Sequence, residues 1–210
     1  MGQVKAAKTR KIKSLQKVPQ PDSKSALHVT DIQNDFCPGG ALGVPGADAI
    51  IPIVNDYIRF FHRQGFPVIA SRDWHPPNHC SFKEQNGIWP VHCVQGSWGG
   101  QFHPKLVMAP GVIILSKATD PKREAYSAFE GTPLDERLRN LGTETLFVTG
   151  LATDYCVRNT VLDACKLGYR VVVLEDAIRG LDATPGDCER AMHDMRAAGA
   201  ITAKARDLGL

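Results

Sequence analysis

Three side chains whose chemistry suits nucleophilic catalysis lie at or just after the ends of apolar stretches of the chain. Asp31 and Lys117 end two such stretches, and Cys156 follows a third. An unpaired buried charge is costly, so we expect Asp31 and Lys117 to lie together, either as a base and its electrostatic partner beside a thiol or as a structural ion pair. Cys156 is predicted at the start of a helix, where free N–H groups favour a thiolate and can hold an oxyanion. An inert buried cysteine is the alternative.

A second group of residues has the side chains of a transition-metal site. Asp73 and His75 are two apart in a segment predicted to be extended, which places them on the same side of the chain. His79 and His92 follow within the stretch 74–111, which is rich in Pro, Gly, His and Trp and has no regular period. An Asp with two or three His suits zinc, iron or manganese and leaves coordination positions open. Scattered surface histidines are the alternative, but four of the seven histidines lie in this one stretch, which favours a metal.

The other cysteines and several aromatic residues have weaker signals. Six cysteines without a C-x-x-C pair predict reduced thiols, and we interpret five of them as inert: Cys37, Cys80, Cys93, Cys165 and Cys188. Aromatic residues on Gly- and Pro-rich segments are predicted either to join the core or to wall a flat ring. These are Phe36, Trp89, Trp98, Tyr126 and Phe129.

The elements that must position these residues alternate between strand and helix. Near-continuous apolar stretches predict strands at 26–31, 67–73, 112–117, 145–150, 170–176 and 200–204. Amphipathic spacing predicts helices at 47–64, 133–141, 153–167 and 187–198. This order is typical of a single doubly wound, Rossmann-like α/β domain with a mostly parallel sheet and helices on both faces. In such sheets ligands bind at the carboxyl ends of the strands, where the candidate residues are placed.

Composition and charge exclude several classes of protein. The chain has 210 residues, of which 43% are hydrophobic and 22% charged, enough for the core of one domain. No apolar stretch approaches the roughly 18 residues of a membrane helix, and none resembles a secretory signal. Residues 1–25 contain seven Lys or Arg and one Asp, although the whole chain has a net charge of only +3. We therefore expect a basic, disordered extension over residues 1–25 and a mildly acidic domain over 26–210 that binds neither nucleic acid nor membrane.

Five segments combine the candidate residues with a recognisable surrounding sequence: DIQNDFCPGGAL (31–42), SRDWHPPNHCSF (71–82), WPVHCVQGSWGGQFHP (89–104), SKATDPKREAYSAFEG (116–131) and VTGLATDYCVRNT (148–160). In these segments the chain resembles the nicotinamidase/pyrazinamidase family of isochorismatase-like cysteine hydrolases. The resemblance extends from residue 26 to about 204 and implies that family's fold. It also implies hydrolysis of nicotinamide, and of pyrazinamide, to the acid and ammonia through a cysteine thioester, in NAD salvage.

The resemblance also implies a catalytic centre. Asp31, Lys117 and Cys156 would form the catalytic triad. The backbone N–H groups of Ala152 and Cys156 would form the oxyanion hole, next to a cis peptide bond between Leu151 and Ala152.

Metal and substrate residues follow from the same resemblance. Asp73, His75 and His92 would bind one divalent metal ion, with Zn²⁺ favoured over Fe²⁺ or Mn²⁺. His79 matches a position that binds the metal in some members and not in others. The residues around the pyridine ring would be Phe36, Trp89 and Tyr126, with Tyr155 near the pocket.

Other functions stay open at this point. Another hydrolase of this fold cleaves an isochorismate-type vinyl ether, but it does so without metal or cysteine; an N-carbamoyl amide is a further substrate class. A catalytically idle binding module is disfavoured because Asp31, Lys117 and Cys156 are all present. We expect a small-molecule substrate and a cytoplasmic location, with organellar targeting by the basic extension as the alternative, and leave open a homo-oligomer.

Overall fold

The computed structural model describes residues 17–210 and confirms the predicted α/β fold. Six strands form one sheet: β1 (Ser25–Thr30), β2 (Val68–Asp73), β3 (Ile113–Lys117), β4 (Thr145–Leu151), β5 (Arg170–Arg179) and β6 (Ile201–Ala203). The α-helices of the described residues are α1 (Ile51–Arg63), α2 (Leu134–Asn140), α3 (Arg158–Lys166) and α4 (Asp187–Ala197).

The strand order places one reversal in the middle of the sheet. All neighbouring strands are parallel, in the order β3-β2-β1-β4-β5-β6. The first three strands are added in one direction, and β4 then pairs with the other side of β1. In open parallel sheets the crevice beside such a reversal, at the carboxyl ends of the strands, is where ligands bind. The carboxyl ends of β1 and β4 therefore mark the expected position of the site.

The core lies on both faces of the sheet because alternate side chains of each buried strand point to opposite sides. On one face, α1 contributes Ile51, Val54, Ile58 and Phe61, which join apolar residues of β1, β4 and β5 in one cluster. On the other face, residues from α2, α3 and α4 form a second cluster with the alternate residues of the same strands. This double coverage explains why the strands have near-continuous apolar sequences.

The end of one strand differs from the sequence prediction, whereas the long irregular stretch agrees with it. The strand predicted to end at 176 continues as β5 to Arg179, because its pairing with β4 resumes after a register shift in which Gly150 pairs with Ile178. The stretch 74–111, predicted to be irregular, contains only a short 3₁₀ turn at Lys83–Gln85 and isolated bridges such as that between His75 and Val94.

The amino-terminal extension predicted over residues 1–25 lies outside the described residues up to position 16. The described part contacts the domain. Val18 packs against the cluster on the α1 face. The side-chain amide of Gln20 donates to the carbonyl oxygen of Asp207 at 2.9 Å, and Lys24 pairs with Glu144 at 2.6 Å. Between residues 17 and 210, no helix has the length and apolar character needed to cross a bilayer.

Candidate active site

Lys117 lies at the centre of a buried charge cluster at the carboxyl edge of the sheet. Its ammonium group is 3.1 Å from Asp31, forms an ion pair with Asp73, and donates to the Ala125 carbonyl oxygen at 3.0 Å. The same Nζ lies 3.4 Å from the sulfur of Cys156. The structure thus brings together the three residues that the sequence singled out for nucleophilic catalysis.

Asp31 is held in an unusual backbone conformation just beyond β1. Its φ is 47°, in the left-handed region that is rare for residues other than glycine. The Ser71 hydroxyl donates to Oδ1 of Asp31 at 2.6 Å, and its other carboxylate oxygen faces Lys117. Such strained positions persist only where the surroundings hold them. Here Ser71 and Lys117 hold the Asp31 carboxylate, one oxygen of which lies within 4.8 Å of the Cys156 sulfur.

Burial and neighbouring charges shift the pKa values of Cys156, Asp31 and Lys117. Burial raises the pKa of the Cys156 thiol well above its ordinary value, and it raises the pKa of Asp31 although the charge of Lys117 opposes it. Burial alone would lower the pKa of Lys117, but the carboxylates of Asp31 and Asp73 outweigh it and raise that pKa. This direction is opposite to the lowered thiol pKa that a helix N-terminus alone would give. The thiol therefore lies beside a carboxylate whose pKa is also raised.

The turn that presents Cys156 follows β4 directly. Thr153–Val157 forms a π-helical turn ahead of α3, so the sulfur reaches the edge of the sheet beside β1. The expected cis peptide bond between Leu151 and Ala152 is present. Gly150 has a φ of 110°, and a Cβ there would lie 2.0 Å from the Thr30 carbonyl oxygen, so only glycine allows this approach to β1. Ala152 and Cys156 both line the adjoining pocket.

Asp73, His75 and His92 form a cluster that fits a divalent metal. One ligand atom from each lies within 4.8 Å of the others. The Nδ1 atoms of His75 and His92 contact the carbonyl oxygens of Ala118 at 3.3 Å and Pro90 at 2.8 Å, which orients the Nε2 atoms for coordination. The Nε2 of His75 is buried and has no hydrogen-bond partner among residues 17–210. Two imidazole nitrogens and one carboxylate form a donor set that suits zinc, iron or manganese.

His79, held as a further candidate ligand, lies beside this cluster without joining it. Its ring is 4.2 Å from the ring of His75, centroid to centroid. Both of its nitrogens are engaged, one with the Ser81 hydroxyl at 2.7 Å and the other with the Arg123 carbonyl oxygen at 3.1 Å. These partners, which the sequence did not indicate, occupy both ring nitrogens of His79.

A pocket opens onto both the thiol and the candidate metal cluster. The four aromatic residues expected around the substrate all line it: Phe36, Trp89, Tyr126 and Tyr155. The indole N–H of Trp89 donates to the Tyr126 hydroxyl at 2.9 Å, and its ring meets that of Tyr155 edge-on at 5.1 Å. Two other aromatic candidates lie elsewhere, since Trp98 is 64% exposed and Phe129 stacks on Tyr169.

The comparison with known proteins agrees with this geometry. The isochorismatase domain model matches residues 25–207. The nicotinamidase of Escherichia coli is 44% identical, and the match covers 83% of this chain and 92% of that protein. The chain belongs to the nicotinamidase/pyrazinamidase family.

Two solved structures of similar proteins support the assignment to the nicotinamidase/pyrazinamidase family. The pyrazinamidase of Pyrococcus horikoshii, described in complex with zinc, is 49% identical with a TM-score of 0.83, over 86% of this chain and 99% of that one. The PnC1 protein of L. infantum, described in complex with nicotinate, is 33% identical with a TM-score of 0.82, over 90% and 97% of the two chains.

Four residues of the pocket were missed by sequence reasoning: Leu42, Val44, Glu124 and Leu181. Leu42 and Val44 lie in the loop that follows residues 31–36 (DIQNDF). Glu124 lies in the segment 116–131, in which Lys117 and Tyr126 were the predicted site residues. Leu181 lies beyond β5, outside all five recognisable segments. No local pattern marks these positions, because they reach the pocket only through contacts between loops.

Asp35, in the segment 31–42, holds two loops that border the pocket, one at Ala41 and the other at Cys93. Its carboxylate accepts the N–H of Cys93 at 2.7 Å and the N–H of Ala41 at 3.1 Å. Cys93 has a φ of 46° and follows His92, so the bond stabilises a strained residue next to a candidate metal ligand. The other bond holds the backbone next to Leu42. Asp35 therefore positions the loops and does not face the pocket itself.

Proposed function

We propose that this member of the family hydrolyses the carboxamide of nicotinamide, and of pyrazinamide, to the carboxylate and ammonia, and that it acts in NAD salvage. The observation that carries the proposal is the pocket into which both the buried Asp31–Lys117–Cys156 group and the Asp73–His75–His92 cluster open. The nicotinamidase of E. coli and the L. infantum protein bound to nicotinate support the choice of substrate.

The first half of the reaction begins with proton transfer. Asp31, whose pKa is raised by burial, accepts the proton of Cys156, and the thiolate attacks the carboxamide carbon. Lys117, 3.4 Å from the sulfur, stabilises the negative charge that the thiol acquires as it loses its proton. The raised pKa of the thiol means that little thiolate exists before this step, which limits side reactions with other electrophiles.

The second half releases the products. The oxyanion is held by the N–H groups of Ala152 and Cys156, beside the pocket that both residues line. As the tetrahedral adduct collapses, Asp31 returns the proton to the leaving nitrogen and ammonia departs. Asp31 then takes a proton from a water molecule, which attacks the thioester carbon, and the sulfur leaves and recovers the proton. One water is consumed for each ammonia and acid formed.

Asp73, His75 and His92 would hold one divalent metal ion, with Zn²⁺ favoured and Fe²⁺ or Mn²⁺ as alternatives. The unpartnered Nε2 of His75 and the zinc complex of the similar P. horikoshii pyrazinamidase support this part of the proposal. The ion would supply an open coordination position for the ring nitrogen of the substrate.

The aromatic residues would hold the ring itself. Phe36, Trp89, Tyr126 and Tyr155 provide flat apolar surfaces with two hydroxyl groups and one indole N–H among them. Such a wall suits a six-membered heteroaromatic ring, which stacks well but needs a polar contact to set its orientation. With this function we retain the expectation of a cytoplasmic enzyme whose partner is a small molecule.

An assay of ammonia release tests the proposal directly. The purified protein, supplied with zinc, is incubated with nicotinamide, and nicotinate is quantified by chromatography alongside ammonia. We expect equal amounts of the two products. Parallel reactions with an N-carbamoyl amide and with isochorismate cover the two other reactions of this fold. Turnover of either in preference to nicotinamide would contradict the proposal, as would the absence of ammonia from every reaction.

A further inference from the structure

The segment Gly180–Asp182, which follows β5, forms part of the pocket wall. Leu181 lines the pocket and packs against the core cluster on the α1 face. It lies outside the helices and strands, so neighbouring side chains must hold it in place. The segment is also far in sequence from every other residue of the pocket except those of the turn that carries the thiol.

Asp154 provides the direct hold on this segment. Its two carboxylate oxygens accept the backbone N–H of Leu181 at 3.0 Å and that of Asp182 at 2.8 Å. Hydrogen bonds to a charged acceptor are about twice as strong as those between neutral groups. Asp154 belongs to the same π-helical turn as Cys156, so the turn that presents the thiol also holds the apolar wall.

The local backbone leaves the segment little freedom to take another position. Asp182 has a φ of 50°, in the left-handed region, and its own carboxylate accepts the N–H of Cys188 at the start of α4 at 3.0 Å. A Cβ at Gly180 would lie 2.1 Å from the Cys188 sulfur and 2.8 Å from Oδ1 of Asp154. The segment is therefore held on one side by Asp154 and on the other by α4.

We propose that Leu181 determines how large a ring the pocket accepts and that Asp154 is the positioning residue that sets its distance from the thiol. The inference rests on the proposed function for its substrate class, a heteroaromatic carboxamide. It assigns Asp154 no contact with the substrate. Its effect passes through the backbone of residues 181 and 182, and so falls on binding of the ring and not on the chemistry of Cys156.

The test compares two carboxamides of different size, nicotinamide and quinoline-3-carboxamide, whose second ring needs more room. The selectivity is the ratio of kcat/KM for the two. We expect Leu181→Ala to shift this ratio towards the larger substrate by about 10-fold, the usual effect of a small volume change in an apolar pocket. Asp154→Asn, which replaces one acceptor oxygen by an N–H₂ group, should shift it in the same direction, chiefly through KM.

The double variant Asp154→Asn/Leu181→Ala separates positioning from a general structural effect. If Asp154 acts through Leu181, the double variant shows the selectivity of Leu181→Ala alone, because there is no longer a side chain to position. The matched control is Asp22→Asn, at the amino end of the sheet, where the carboxylate accepts the N–H of Lys24 at 3.0 Å. It should leave the ratio unchanged.

Two results would overturn the proposal. One is a selectivity shift in the double variant equal to the product of the single shifts. The other is an Asp154→Asn protein whose melting temperature and kcat fall while the ratio stays that of the wild type. The ratio is also measured as dissociation constants for the two carboxamides in a Cys156→Ala background. These dissociation constants test the roles of Leu181 and Asp154 even if the protein does not hydrolyse nicotinamide. A failure to hydrolyse nicotinamide would count against the proposed function and not against this inference.

Discussion

The side-chain amide of Gln33 closes around the main chain of Asp73: its oxygen accepts the Asp73 N–H at 2.8 Å and its nitrogen donates to the Asp73 carbonyl at 2.7 Å. The same nitrogen donates to the Gly100 carbonyl oxygen at 2.9 Å. Gln33 is fully buried, so these groups have no access to water. One side chain thus ties β1, β2 and the long loop together beside the candidate metal cluster.

Replacing Gln33 by Met, which has similar length but no polar group, is expected to be strongly destabilising. The change leaves the Asp73 N–H and two carbonyl oxygens buried without partners, at about 1–3 kcal/mol for each unsatisfied group. The free energy of unfolding in urea measures the loss. Gln95→Met is the control, since the amide of Gln95 donates to the Trp74 carbonyl oxygen from an exposed position, and it should change stability by less than about 0.5 kcal/mol.

Lys117→Met should destabilise the protein by about 3–5 kcal/mol, because it leaves the buried carboxylates of Asp31 and Asp73 without their shared counter-charge. Urea unfolding measures this loss as well. Lys122→Met is the comparison at an exposed site. Equal stability of the two variants would show that the buried carboxylates do not depend on Lys117.

Cys156→Ala should abolish turnover while nicotinamide binding survives, because the aromatic wall and the metal ligands are untouched. Turnover is followed by ammonia release and binding by calorimetry. Cys165→Ala, on α3, is the matched control and should keep the wild-type rate. A thioester found by peptide mass spectrometry on any cysteine other than Cys156 would contradict its assignment as the nucleophile.

Removal of the metal should slow the hydrolysis of carboxamides that have a ring nitrogen far more than that of carboxamides without one. Chelation is expected to reduce nicotinamide hydrolysis on the order of 100-fold, the effect of misplacing a reacting carbonyl by about 1 Å, and added zinc, iron or manganese should restore it. Benzamide has the same carboxamide but no ring nitrogen. It should be a poor substrate of the metal-loaded enzyme, and chelation should change its rate far less. Equal rates for benzamide and nicotinamide in the loaded enzyme would mean that the metal does not orient the ring.

His28 should make stability depend on pH. Burial, reinforced by the charge of Lys117, lowers its pKa from 6.5 to about 3, and its Nε2 has no hydrogen-bond partner in the described part of the chain. Between these two pH values the unfolded chain binds more protons than the folded one, so stability falls as the pH falls from about 6.5 towards 3.

The size of this effect can be isolated by mutation. Between pH 7 and pH 5 the loss due to His28 should be about 2 kcal/mol, measured as free energies of unfolding in urea. His28→Leu should lack this part of the pH dependence, whereas His193→Leu, at a site 82% exposed, should retain it. The same pH dependence in His28→Leu as in the wild type would contradict the prediction.

Much of the fold follows from the apolar pattern, because strands covered on both faces must be apolar along their whole length. The parallel arrangement then explains why the amino-acid sequence alone predicts that Asp31, Asp73 and Lys117, far apart in the chain, lie at one edge of the sheet. The end of β5 was predicted too early, since Glu175 and Asp176 interrupt the apolar stretch although pairing with β4 resumes beyond them.

Other parts of the site depend on contacts that no local pattern reveals. Burial raises the pKa of Cys156, and the sequence alone does not show how deeply this thiol is buried. His79 lies outside the candidate metal cluster, and Ser81 and Arg123 engage its two nitrogens. Leu181 lines the pocket from a loop whose backbone N–H donates to the carboxylate of Asp154, 27 residues earlier in the chain. Each is a long-range or loop contact, and its geometry follows from the folded chain alone.

The placement of β4 beside β1 has a consequence for how the protein matures during synthesis. A chain completed only through β3 already contains Asp31, Asp73 and Lys117, yet β1 still has one open edge along Ser25–Thr30, a surface prone to pairing with other chains. The later strand covers this edge, and the turn after it delivers the reactive sulfur. The pairing of β4 with β1 therefore does two things at once: it covers this edge and brings Cys156 beside Asp31 and Lys117.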